Sequence, residues 1–171
     1  ICKHNCTSKE WDLIEGRMKD GRWQGYFQTP NSFKINRALR ENNLDMLNKR
    51  DKQTIKALQN VISRNDLTKD TILYRKDSMA ALNGYFDKPL VELAKTGEAS
   101  GKIIKMKSFT STSFIKSQNL FTDRPVSWEM NAPKGINIFA NGVEMESEGL
   151  LDIGQEIKIL SIVDNLSLIH I

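Results

Sequence analysis

A chain of 171 residues, 39% hydrophobic and 27% charged, has the length and apolar content for one domain with a substantial core, which excludes a disordered or fibrous protein. The net charge of +4 and the pI near 9.0 are mildly basic and tolerate an anionic ligand. Lys and Arg are scattered apart from Lys49, Arg50 and Lys52, with no RNA-binding aromatic signature and no helix-turn-helix pattern, so nucleic acid is not expected as a partner.

No stretch approaches the ~20 apolar residues of a membrane span, and the first residues lack the apolar core of a secretory signal. The chain lacks a starting Met, so it is expected to be an excised domain or a processed product. Cys2 and Cys6 flank His4, and the other histidine is His170 at the far end. That is too few ligands for a metal site. A disulfide or two idle thiols is the expected reading, and no metal is expected.

In chain order, Thr7 and Glu10 fit a capping box that opens a helix with Trp11, Ile14 and Met18 at helical spacing. GRWQGYFQTPN reads as a loop rich in Gly and aromatics. Asn31 or Ser32 is expected to cap the next helix, SFKINRALRENN, with apolar Phe33, Ile35, Ala38 and Leu39. A third helix is expected over about residues 51–64, with Ile55, Leu58, Val61 and Ile62 on one face. TILYRK reads as a short strand. PLVELAK reads as a short helix that follows Pro89 and stops at Gly97. Beyond it the period is mostly two, through KIIKMKSFTSTS, VSWEMNAPKG, the Glu-rich stretch and EIKILSIV. Helices first and a largely β second half predict an α+β fold.

Three features carry chemistry, each beside a plainer alternative. Arg75 sits in a strand flanked by Ile, Leu and Tyr, where an Arg normally points outward or pairs with a carboxylate. SFTSTS (residues 108–113) puts Ser111 and Ser113 on one strand face, where small hydroxyls can hold a carboxylate, although Ser and Thr also suit any half-exposed strand. Glu144, Glu146 and Glu148 lie two residues apart, so in a strand all three point the same way. Such a run usually marks a solvated edge; like charges on one face repel, and burying them costs more unless something binds them.

Taken together, an Arg on one strand, STS on a later one and E-x-E leading into GLLDIG resemble the mono-ADP-ribosyltransferases of the R-S-E class. The likeness is to the catalytic domains of the clostridial binary actin-modifying toxins and to related bacterial and phage-encoded transferases. FKINRALR, DTILYRK, GKIIKMKSFTSTS, VSWEMNAPKG and ESEGLLDIGQEIKIL all share in it, so it covers most of the chain.

The resemblance implies NAD as co-substrate. It implies two packed, mainly antiparallel β-sheets with N-terminal helices against one of them, and NAD in the cleft between the sheets. Arg75 would meet the pyrophosphate with a planar multi-donor group. Glu148 would hold the ribose and face the positive charge that builds as the nicotinamide–ribose bond breaks. Ser111 would fix Glu148 by a hydrogen bond, and Thr112 and Ser113 would support the strand and the cofactor site. Glu146 would orient an acceptor arginine and take its proton, since a guanidinium is protonated at ordinary pH. Asn36 and Arg40 sit where the family's helix borders the cofactor, with a solvated helix face as the alternative. Phe121 would stack on nicotinamide or pack in the core. Glu144 has no implied role, and Tyr74 is expected to pack.

The chain departs from many relatives at Val143, where they carry an aromatic, at Gly149, where a bulkier apolar residue is common and glycine is expected to loosen the strand, and at Lys76, where several have a second Arg. The expectation is a single catalytic domain over residues 1–171, monomeric, transferring ADP-ribose from NAD to an arginine of a target protein as a secreted toxin or delivered effector. An NAD glycohydrolase and a catalytically silent interaction or phage structural module are the alternatives.

Overall fold

The computed structural model describes residues 5–16, 25–27, 30–116, 124–141, 148–163 and 168–170. Helix α1 (Ser8–Ile14) opens on the expected capping box: Glu10 N donates to Thr7 Oγ1 at 3.2 Å and Thr7 N donates to Glu10 Oε1 at 2.9 Å. It closes at Glu15, and Met18 lies outside the described residues. Cys6, just before it, is disulfide-bonded.

Helix α2 (Asn31–Arg40) is not capped as expected. Pro30 occupies the cap position, and Asn31 Nδ2 instead donates to the Gly25 carbonyl at 3.2 Å, tying the helix to the loop before it. Helix α3 (Lys49–Ser63) begins earlier than expected, because Asn48 and Asp51 form a second capping box. Asp51 also pairs with Lys34 at 2.7 Å, which fastens α3 to α2. The apolar stripe of α3 is buried as its spacing requires, with Leu58, Val61 and Ile62 fully enclosed.

Strand β1 (Thr71–Asp77) follows, then two short helices, α4 (Met79–Asn83) and α5 (Leu90–Thr96), the latter stopped by Gly97 at φ +70°. The remaining strands are β2 (Ile103–Lys105), β3 (Thr110–Ser113), β4 (Val126–Ala132), β5 (Ile138–Asn141), β6 (Glu148–Leu151), β7 (Glu156–Lys158), β8 (Ser161–Val163) and β9 (Leu168–His170). Seven form one sheet in the order β5-β6-β3-β1-β4-β9-β8, and β2 pairs with β7 in a second. Every pair is antiparallel except β4 with β9.

The pleat of β3, β5 and β6 divides two cores. Ile138 and Leu151 enter a core shared with Ile104 and Ile157 of the small sheet. Phe139 and Leu150, one residue along, enter a second core with Ile35, Leu58 and Ile62 of the N-terminal helices. The register Ser111↔Leu150 and Ser113↔Glu148 therefore turns Ser111, Ser113 and Glu148 toward the helices.

Gly149 does not loosen this strand. A Cβ there would lie 2.6 Å from Ile138 Cδ1 and 3.0 Å from Phe114 Cζ, so these side chains already fill the place of the missing one. Gly149→Val is expected to lower stability by about 1–3 kcal/mol through overpacking, read as an earlier urea midpoint with unchanged slope. An unchanged midpoint would mean that Ile138 and Phe114 yield freely.

Candidate active site

The site grows from the junction of β1, β3 and β6. Ser111 Oγ donates a hydrogen bond to Glu148 Oε1, diagonally across the β3–β6 pair. Glu148 is only 7% exposed, so its carboxylate is held in a largely desolvated place by that hydroxyl. The other two residues of STS act on the backbone. Thr112 faces away from Ser111 and donates to the Gly149 carbonyl at 2.6 Å, locking β3 to β6. Ser113 Oγ donates to Ile115 O at 2.8 Å and accepts from Ile115 N at 3.1 Å, which closes the end of β3.

Arg75 reaches the same place from β1. Strands β1 and β3 pair at Tyr74↔Ser113, and Arg75 Nη1 donates to the Ser111 carbonyl at 2.8 Å. Its Nε donates to Asp77 Oδ2 at 3.1 Å, two residues along on the same face. Sequence reasoning did not single out Asp77, although its i+2 spacing from Arg75 was the available signal. The pair is shielded, with the two side chains 20% and 8% exposed. Arg75→Ala is therefore expected to cost roughly 1–3 kcal/mol of stability, below the full penalty for orphaning a buried charge because Asp77 Oδ1 still accepts from the Ser78 backbone N–H. Thermal melts of Arg75→Ala and Arg75→Ala/Asp77→Ala check this, with the double variant recovering part of the loss.

Helix α2 supplies the wall opposite. Asn36 Nδ2 donates to the Tyr26 hydroxyl at 2.8 Å, and Asn36 Oδ1 is buried with no hydrogen-bond partner among the described residues. Arg40, one turn on, is exposed. Tyr26 is itself enclosed, at 2% exposure. Burial pushes its phenol far above the usual range. The Asn36 hydrogen bond opposes this, the Glu148 carboxylate adds to it, and the charges of Arg75 and Arg40 oppose it. These effects join Tyr26, Asn36, Arg40, Arg75 and Glu148 in one electrostatic neighbourhood. Tyr26 escaped the sequence reading because it sits in an aromatic loop without periodicity.

Ser111 and Glu148 do not lie between the two sheets, where the ligand was expected. A cavity of about 280 Å³ there is lined by residues such as Leu73, Met130, Ile136, Leu151, Ile157 and Leu160, and none of the predicted site residues lines it. The alternation of β3 and β6 turns Ser111, Ser113 and Glu148 toward the helices instead. Glu144, Glu146, Phe121 and Val143 lie outside the described residues. Among the described residues no group of three or more His, Cys, Asp or Glu could hold a metal ion, and no helix is long and apolar enough to cross a membrane.

The ADP-ribosyltransferase exoenzyme family model matches residues 22–168. Among solved structures, the chain resembles an ADP-ribosyltransferase from Clostridium botulinum, with 22% identity, a TM-score of 0.72, and coverage of 98% of this chain and 87% of that one. A protein from S. aureus, solved with NAD, gives 18% identity, a TM-score of 0.72 and the same coverage. The enzymatic component of the C2-toxin from Clostridium botulinum gives 19% identity and a TM-score of 0.69, covering 96% of this chain but 43% of that one. No curated protein matches the sequence.

Proposed function

The chain belongs to the ADP-ribosyltransferase exoenzyme family, and from that premise we propose that it transfers ADP-ribose from NAD to an arginine of a target protein. The observation that carries the reading is the buried Glu148 carboxylate held by Ser111, with the Arg75 guanidinium bonded to the same serine's carbonyl. The site fits a dinucleotide. The buried Asn36 Oδ1 lacks a donor, as an atom completed by a ligand would, and Arg40 and Arg75 bring positive charge suited to a pyrophosphate.

When bound, NAD supplies the ADP-ribosyl group, with nicotinamide as its leaving group. Glu148 stands as a fixed negative charge where positive charge develops. It costs no reorganisation at that moment, because Ser111 already sets its rotamer. Arg75 anchors β3 beside it and offers further donors to phosphate. Asn36 and Arg40 line the ligand from α2, while Thr112 and Ser113 keep the strands in register. Phe121 is assigned to the nicotinamide end. Glu146, two residues before Glu148, orients the acceptor guanidinium and accepts its proton. Residues 1–171 act as one catalytic domain and as a monomer, secreted or delivered as a toxin or effector.

The test is to incubate the chain with labelled NAD and a cell lysate and to map the modified residue by mass spectrometry. Label on arginine is the expected result. Nicotinamide release without label would favour a glycohydrolase, and neither would favour a silent interaction module.

A further inference from the structure

We propose, resting on the NAD reading above, that Tyr26 is a positioning residue for the dinucleotide: its hydroxyl holds the Asn36 amide so that Asn36 Oδ1 is presented to a hydrogen-bond donor of the ligand. An amide offers an acceptor on one side and donors on the other, and its partner decides which side meets the ligand. Here Nδ2 is taken by the Tyr26 hydroxyl at 2.8 Å, which leaves Oδ1 as the outstanding group, buried and without a partner among the described residues. An unsatisfied buried acceptor is costly, and a site keeps one where a bound molecule completes it. NAD carries suitable donors in its ribose hydroxyls, its carboxamide and its adenine amino group.

The phenol is placed by packing. The Tyr26 ring meets Phe27 edge-on at 5.2 Å and 83°, and Phe109 edge-on at 5.6 Å and 75°. Phe109 lies in the same core as Phe139 and Leu150 and precedes Ser111 by two residues. One rigid aromatic contact thus sets Asn36 on the helix against Ser111 and Glu148 on the sheet. The ring is wedged by its faces and edges, while the hydroxyl alone makes the Asn36 contact. The two roles separate in one substitution.

Tyr26→Phe keeps the ring and removes that contact. NAD is titrated calorimetrically into the wild type, Tyr26→Phe, Asn36→Ala and the double variant, and each ligand-free melt is recorded. Tyr26→Phe is expected to weaken NAD binding roughly 3- to 10-fold, the loss of one hydrogen bond, and to lower the ligand-free melt modestly, because Asn36 Nδ2 also loses its partner. Asn36→Ala should weaken it at least as much. The double variant should bind no worse than Asn36→Ala alone, because Tyr26 acts through Asn36. Unchanged affinity in either single variant, or losses that multiply in the double, would overturn the proposal while leaving the NAD reading intact. A wild type that binds no NAD would overturn both.

Discussion

Glu148→Gln is expected to reduce nicotinamide release from NAD by roughly 10²–10³-fold or more, with ADP-ribose transfer falling in parallel. The substitution keeps the shape of the side chain and removes only its charge. The fold does not depend on that charge, because the new amide carbonyl still accepts from Ser111 Oγ and β6 keeps its pairing with β3 and β5. Glu148 is buried, and neutralising a largely desolvated anion removes a cost. The melting temperature should therefore hold or rise. Both activities should vanish together, because both require the same stabilised positive charge. Ser111→Ala should cost less, since it frees the carboxylate without deleting it. A well-folded Ser111→Ala that is more damaged than Glu148→Gln would reverse the two roles.

Strand alternation made it legible that Ser111 shares a face with Ser113. The match of Ser111 to Glu148 was implied by the resemblance to the R-S-E transferases, and the antiparallel register brings the two together diagonally. The same rule read along β1 would have paired Arg75 with Asp77, but a charge of opposite sign two residues away is common on any exposed strand, and only burial makes it matter. The helices were placed by their apolar spacing, and their ends were less legible. Pro30 displaced the expected cap of α2, and Asn48 with Asp51 moved the start of α3, because several polar residues near each end compete for one role. Tyr26 was invisible for a different reason. Its contacts to Asn36 and Phe109 are made across the fold from a loop, and no local pattern announces them. Gly149 was misread because a missing side chain says nothing of what fills its space.

Glu146→Gln is expected to separate the two halves of the reaction. Transfer to arginine should fall by the ~10²–10⁴-fold of a lost general base, while nicotinamide release into water persists at a comparable rate. The charge removed is the one assigned to the acceptor, and Glu148 still supports bond cleavage with water as the trap. Label incorporated into an arginine acceptor and free nicotinamide are measured on one preparation. Equal loss of both would assign Glu146 to NAD instead of to the acceptor. No loss of either would return it to a solvated edge and remove the arginine assignment.

The central claim is that the Ser111–Glu148 pair works on NAD. Its most direct test is the rate of nicotinamide release from NAD by the purified, folded chain with an arginine acceptor present, measured beside Glu148→Gln. The account predicts release by the wild type and near-background release by the variant. Equal rates from the two, or no release from a folded wild-type chain, would contradict it.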